Sequence, residues 1–307
     1  MRKRLISTAM ALLVAAALSA QSLYVGTYNI RNRNKGDEEN GNLWATRCKV
    51  LCNQVNFEAP DAFGTQEVLV QQLRDMRAAL DNYDYIGVGR DDGKEAGEYS
   101  AIFYKKDHLK LLDHGNFWLN ETPDTPKLGW DAACIRICTW GKFKQLKSGF
   151  KFYYFNLHMD HVGVVARREG AKLVISKIKE IAGTASPVIL TGDFNVDQTN
   201  EIYRIFSDSG ILKDCYAFAD RRFATNGTWN DFKSYQWTTH RIDHIFVSPK
   251  FNVRRYGVVT DSYWTPMEQT EEQKAADKKH FDEGYGRRER RMISDHYPVF
   301  AKIVFRK

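Results

Sequence analysis

The sequence predicts an α/β (α+β) fold, a four-layer α/β/β/α sandwich: two mixed, mainly antiparallel sheets packed face to face, with helices outside. Three observations lead there. Most apolar runs are short, about four to ten residues, and are closed by turn residues, as strands are. Amphipathic helical stretches interrupt them in both halves of the chain. Between these lies a meander of strand-like runs whose turns are rich in Gly, Asp and Lys.

Taken in order, Leu23 to Ile30 reads as a strand, and Asn42 to Phe57 as a helix with Leu43, Val50, Leu51 and Val55 on its inner face. Asp61 to Gln66 is a short strand and Gln71 to Leu80 a helix. Strand-like runs follow at 83–89, 100–105, 109–119, 135–143 and 150–157. The theme then repeats. Val164 to Ala182 places Ala171, Val174, Ile175, Ile178 and Ala182 at helical spacing with charges opposite, and the apolar run from Val188 to Leu190 leads into Gly192-Asp193. Segments 241–247, 253–260 and 299–305 supply the last strands.

Met1 to Ala20 reads as a leader: Arg2, Lys3 and Arg4 form a basic start, Leu5 to Leu18 an apolar stretch, and Ser19-Ala20 a small-residue cleavage site. The apolar stretch is short and Ala-rich, so a cleaved signal peptide is expected rather than an anchor, with the protein periplasmic or secreted. No later segment reads as a stable membrane span. Roughly 287 residues then remain, read as one domain covering 21–307 and acting as a monomer. Losing the three basic residues takes the formal charge from +7 to +4, a mild excess that suits an anionic substrate without singling out nucleic acid. The five cysteines cannot all pair within the chain, and the spacing of Cys48 with Cys52 and of Cys134 with Cys138 suggests no obvious disulfide. Small buried hydrophobes are the expected role. No Cys-x-x-Cys occurs, which argues against a zinc ribbon.

Acidic, amide and imidazole residues gather at strand ends: Tyr28-Asn29-Ile30-Arg31, Gln66-Glu67, Asn156-Leu157-His158, Gly192-Asp193-Phe194-Asn195, Arg241-Ile242-Asp243-His244 and Ser294-Asp295-His296-Tyr297-Pro298. Singly, each has an ordinary explanation. Glu67 could be a solvated terminus or a metal ligand, Asn29 a turn cap or a phosphate contact, and His158 a satisfied structural histidine. Asp243, inside an apolar run, is costly unless paired. If 193–195 is extended, Asp193 and Asn195 share one face while Phe194 buries on the other. Packed strands would deliver all of these to one rim, where carboxylates hold a hard cation and an imidazole handles a water proton.

The order of these clusters resembles the endonuclease/exonuclease/phosphatase superfamily, the metal-dependent phosphoesterases that include DNase I-like nucleases, from about residue 23 to the C-terminus. The resemblance implies Glu67 as the principal metal ligand, with Asn29 and Asp295 nearby. It implies Asp193 and Asn195 positioning the attacking water, and His296 as general base or water-orienting imidazole held in its tautomer by Asp243. His158 would face the scissile phosphate, with Glu98 behind it, and Arg31 is a candidate phosphate contact. Mg²⁺ is the expected cofactor, with Mn²⁺ as a substitute, because the implied ligands are oxygen-rich.

Three further segments resemble a bacterial secreted branch of that superfamily: Phe117-Trp118-Leu119-Asn120-Glu121-Thr122-Pro123, Gly129-Trp130-Asp131-Ala132-Ala133, and Asp160-His161-Val162-Gly163 leading to Ala166-Arg167-Arg168. The expected activity is hydrolysis of a phosphate ester, nuclease-like on a phosphodiester and so possible on nucleic acid. The alternatives are a phosphatase or phosphodiesterase for an inositol phosphate, sugar phosphate or sphingolipid, and a non-catalytic binding protein on the same scaffold. Trp118, Trp130, Trp140 and Trp229 could stack on a base or sugar or belong to the core. Residues 261–292 are strongly polar and expected on the surface, where Arg287, Arg288, Arg290 and Arg291 either border the cleft or form a solvated loop.

Overall fold

The computed structural model describes residues 21–278 and 287–306, so the leader and Gly284-Tyr285-Gly286, just before the arginine-rich segment, lie outside the described residues. The first half runs β1 (Ser22–Asn29), α1 (Lys35–Glu39), α2 (Trp44–Glu58), β2 (Ala62–Gln66), α3 (Val70–Ala79), β3 (Tyr83–Ile86), β4 (Ile102–Lys105), β5 (Leu109–Trp118), β6 (Ile137–Gln145) and β7 (Lys151–His158). The second half runs α4 (Val164–Ala182), β8 (Val188–Asp193), α5 (Glu201–Ser207), β9 (Lys213–Asp214), β10 (Arg222–Phe223), β11 (Asp243–Val247) and β12 (Phe251–Val258). It ends with β13 (Ser262–Pro266), α6 (Glu271–Lys278), β14 (Arg288–Met292) and β15 (Val299–Phe305).

The strands form the two expected sheets, in orders β10-β12-β15-β1-β2-β4-β3 and β5-β6-β7-β8-β11-β9. Alternation decides what each face does. In β1, Leu23 and Val25 point to the space between the sheets, where they meet Phe143, Phe152, Tyr154 and Ile245 from the second sheet. Tyr28 and Ile30 lie instead among Trp44, Leu51 and Val55 of α2 and Leu73 and Met76 of α3. On the far side, the α4 stripe of Ala171, Val174 and Ile178 packs on Phe155, Leu157, Leu190 and Phe246. Each fully buried Val or Ile contributes about 1.5–3 kcal/mol. The four layers follow.

Pairing direction then sets the site. β1 and β2 run parallel with Asn29 opposite Gln66, and β15, antiparallel to β1, begins at that same end with Val299 opposite Thr27. The second sheet repeats this, for β7 and β8 run parallel with His158 opposite Asp193, while antiparallel β11 starts with Asp243 opposite Asp193. Six strand ends therefore open on one rim.

Beneath that rim the sheets are joined by buried polar groups. The Gln66 amide donates to Asn156 Oδ1 at 2.7 Å and to Thr27 at 3.0 Å, and Asn156 donates to the Thr65 and Ala101 carbonyls at 2.9 and 3.0 Å. Gly64 lies directly opposite, where an added Cβ would come within 2.1 Å of Asn156 Oδ1. Gly64→Ala is therefore expected to cost about 1–3 kcal/mol by overpacking. Urea unfolding with an unchanged m-value is the check, and an unshifted midpoint would contradict it.

Residues 261–292 were expected on the surface, and their described residues include a strand pair in place of a simple solvated loop. β13 and β14 pair as an antiparallel two-stranded sheet from Ser262–Met292 to Pro266–Arg288. Charged β14 carries no apolar alternation to announce it, and its ladder to Tyr263, Trp264 and Thr265 makes the strand. The arginines there are also engaged locally: Arg287 with Asp277, Arg290 with Ser262, and Arg291 with Glu289 and the Asn40 carbonyl. No helix among the described residues is long and apolar enough to cross a membrane. The five cysteines are free, and four of them are buried.

Candidate active site

The rim residues enclose a cleft of about 450 Å³ lined by Arg31, Glu67, Glu98, His158, Asp193, Asn195, Asp295 and His296 among others. Asn29 and Asp243 are fully buried at its base. A larger concavity of about 770 Å³ lies on the outer face of the first sheet, around Tyr24, Arg255 and Lys302, but Glu58 is its one acid and it has no imidazole. The phosphoesterase-type groups are in the smaller cleft.

Three of its residues hold left-handed backbone angles that side chains other than glycine rarely adopt: Arg31 with φ 58°, Glu67 with φ 60° and Asn195 with φ 50°. Each follows a strand closely and turns the chain back over the rim. Such strain clusters where the surroundings over-determine a functional geometry. At Asn195 it corrects the sequence reading, because residues 193–195 are a turn and not extended. The Asn195 amide N–H donates to Asp193 Oδ1 at 2.9 Å, and this turn, not strand alternation, brings both polar side chains to the cleft. Phe194 is buried against Phe206, Phe246 and His244, as that reading required.

One group of residues centres on Asn29. Its amide donates to Glu67 Oε1 and to Asp193 Oδ2, both at 3.0 Å, and its carbonyl oxygen accepts the Arg31 N–H at 3.0 Å. Arg31 Nη1 stands 3.4 Å from Asp295 and 3.8 Å from Glu67. The two carboxylates thus converge on a single positive group. Arg31 Nε is meanwhile bound to Asp37 at 2.7 Å, so this guanidinium is more committed than a free phosphate contact would be. Burial and the nearby Glu67 charge push the Asp295 carboxyl up to about 6, against the pull of His296 and Arg31.

The other group is Asp243, His296, Asp193, His158 and Asn195. His296 Nδ1 lies 2.9 Å from Asp243 Oδ2, and its Nε2 faces Asp193 Oδ2 at 3.7 Å. Burial alone would lower the imidazole, yet Asp243 and Asp193 hold it well above its usual range. Burial and then the Asp243 charge push Asp193 up to about 7. Asn195 Nδ2 donates to the Met159 carbonyl at 2.9 Å, which fixes its amide orientation, so the same nitrogen must donate to His158 Nε2 at 3.0 Å. Neutral His158 therefore carries its proton on Nδ1. Burial, with Arg136 and Arg90 nearby, keeps it neutral by lowering it well below the ordinary histidine value.

Glu98 is not behind His158 as expected. It lines the cleft, but its carboxylate is taken by Arg90 and by Asn32, the latter at 3.0 Å, leaving His158 Nδ1 without a partner among the described residues. Arg90, Arg136 and His161 were missed as cleft residues. Arg136 had a signal, a lone charge inside the apolar run Ile135 to Cys138, the same anomaly that drew notice to Asp243. Arg90, in a Gly-Arg-Asp-Asp-Gly turn, had none. Of the four tryptophans named above, Trp229 alone lines the cleft; it is 38% exposed and its backbone bridges to His296.

Two groups of described residues bring three ligating atoms within 4.8 Å of one another: Asp193, Asp243 and His296, and Cys134, Asp160 and His161. The second is already satisfied, since Asp160 accepts from the Val162, Gly163 and Cys134 amides and stands 3.4 Å from Arg136. In the first, the His296–Asp243 hydrogen bond occupies one ligand pair. Glu67 and Asp295, which already converge on the Arg31 guanidinium, with the Asn29 side-chain oxygen nearby, are the better fit to a hard divalent cation.

The model of the family described as "Endonuclease/Exonuclease/phosphatase family" matches residues 26–296. Among solved structures, the chain is 49% identical to an endonuclease/exonuclease/phosphatase family protein from Bacteroides thetaiotaomicron, covering 93% of this chain and 98% of that one, with a TM-score of 0.86. It is 50% identical to the mannosyl-6-phosphatase Bt3783 from Bacteroides thetaiotaomicron VPI-5482, covering 92% and 100%, with a TM-score of 0.85. Among curated proteins, it is 22% identical to Nocturnin from Drosophila melanogaster over 230 residues, which are 67% of this chain and 34% of that protein. The chain thus spans about a third of the length of that curated relative.

Proposed function

This chain belongs to the endonuclease/exonuclease/phosphatase family, whose members are metal-using phosphoric ester hydrolases, and from that premise we propose that it cleaves the phosphate monoester of a sugar 6-phosphate. The observation that carries this reading is the cleft of about 450 Å³, a small-molecule size, lined by Arg31, Arg90, Arg136 and Trp229 beside the carboxylates and imidazoles. The 50% identity to a mannosyl-6-phosphatase over that chain's full length supports it.

Glu67, Asp295 and Asn29 would hold the divalent cation, Mg²⁺ with Mn²⁺ able to substitute. When bound, it would neutralise charge on the phosphoryl oxygens and assist the leaving oxygen. Asp193 and Asn195 would position the water, and the His296–Asp243 pair would hold or pass its proton. His158, whose Nε2 side faces Asn195 and Asp193, would help to hold Asn195 in place. Trp229 would offer its ring to the sugar.

A second reading, a nuclease-like phosphodiesterase, is favoured by the same Trp229, because a base stacks on an indole as a sugar does. The residues 21–307 should be assayed with Mg²⁺ against hexose 6-phosphates, inositol phosphates, single-stranded DNA and RNA. We expect the highest kcat/KM on a hexose 6-phosphate. A higher value on a polynucleotide would replace the first reading by the second.

A further inference from the structure

We propose that Arg90, Arg136 and His161 form an anion clamp that reads the third terminal oxygen of a phosphate monoester and so disfavours diesters. The inference rests on the monoesterase reading above and names the residues that would set it. All three line the cleft together with His158.

Arg136 is 5% exposed, a costly place for a guanidinium unless its donors are used. Its Nε faces Asp160 at 3.4 Å and its Nη2 donates to His161 Nδ1 at 3.0 Å, while Nη1 has no partner among the described residues. Because an arginine N–H can only donate, His161 Nδ1 accepts and its proton sits on Nε2. His161 is exposed, so that proton is available to a ligand. Asp160 anchors the set from behind: burial would raise its carboxyl, but the Gly163 and Val162 amides hold it down to about 2, so it stays charged opposite Arg136.

Arg90 reaches the same wall. Its Nη1 is tied to Glu98 and its buried Nε stands 3.8 Å from Asp91, which leaves Nη2 without a hydrogen-bond partner among the described residues. His158 Nδ1, also unpartnered, is sealed behind this wall in a space too small for a water, so it is not among the donors open to a ligand. Arg90 Nη2, Arg136 Nη1 and His161 Nε2, on three residues that line the cleft, make a site for an oxygen-rich anion. A monoester dianion offers three terminal oxygens, and a diester offers two and a second substituent that would collide with this wall. Charge-assisted hydrogen bonds to such oxygens contribute about 1.5–3 kcal/mol each, or roughly 10- to 150-fold in binding.

The test compares p-nitrophenyl phosphate with bis-p-nitrophenyl phosphate, substrates without a sugar. In Arg136→Gln and in Arg90→Gln, the monoester-to-diester ratio of kcat/KM should fall at least about tenfold, and the inhibition constant of inorganic phosphate should rise in parallel. Arg136→Lys should keep part of the phosphate affinity but less of the ratio, since it keeps the charge and loses the fork. Equal losses on both substrates, or an unmoved ratio, would overturn the clamp. Should Arg136→Gln fail to fold by circular dichroism, Arg90→Gln and His161→Ala decide the matter alone. A shifted ratio in an enzyme inactive on every hexose phosphate would keep the clamp and remove the sugar reading, whereas good hexose phosphate turnover with an unshifted ratio would do the reverse.

Discussion

Replacing His296 by Ala is expected to lower kcat by about 10²–10⁴, the range for loss of a positioned proton-handling group. The imidazole is 5% exposed and its Nδ1 is fixed by Asp243 at 2.9 Å, so no neighbouring side chain can swing into its place. Its removal also strands Asp243, whose second oxygen already lacks a partner among the described residues. A stability loss of about 1–3 kcal/mol should therefore accompany the catalytic one, from a buried acceptor left unmade. The two effects separate by experiment, since thermal unfolding reads the second and turnover of the folded fraction reads the first. Asp243→Asn should weaken turnover too, and the double variant should cost little more than the worse single one, because a pair acting as a unit is not additive. Turnover at the unmodified rate by folded His296→Ala protein would remove His296 from the mechanism.

Chelation should have the larger effect. EDTA followed by dialysis is expected to abolish turnover, with Mg²⁺ or Mn²⁺ restoring it, and Glu67→Gln should raise the Mg²⁺ concentration for half activity by about tenfold or more. A second readout does not depend on catalysis. Mg²⁺ bound to the folded state alone raises the melting temperature by mass action, and that shift should shrink in Glu67→Gln and in Asp295→Asn. If instead Asp243→Asn abolishes the shift and Glu67→Gln leaves it intact, the cation sits in the buried Asp193, Asp243 and His296 group. Full activity after exhaustive chelation would refute metal dependence altogether.

Much of this was legible because strand ends are local features. A short apolar run, the turn that stops it and the polar residue at the stop lie within a few positions of one another, so Asn29, Glu67, His158, Asp193, Asp243 and Asp295-His296 could be picked out one by one. The helices at 44–58, 70–79 and 164–182 were read within a residue or two at each end, since their apolar spacing is also local. Two-residue strands such as β9 and β10 were not, as they hold too little periodicity to register.

By itself, then, the sequence determined the two-sheet sandwich, the family and the strand-end residues that gather on one rim, though not Arg90, Arg136 or His161. Only the tertiary structure decided how they are paired, because a hydrogen bond between positions 29 and 193 or 243 and 296 depends on strand order and direction, which no local pattern encodes. Parallel β1–β2 and β7–β8, with antiparallel β15 and β11 beside them, convert six separate strand ends into one cleft. The same holds for charge. A guanidinium on a surface turn and one in an active site look alike in sequence, and folding sent Arg90 and Arg136 to the cleft while it tied Arg287 and Arg291 to Asp277 and Glu289 on the surface, where water would have served them nearly as well.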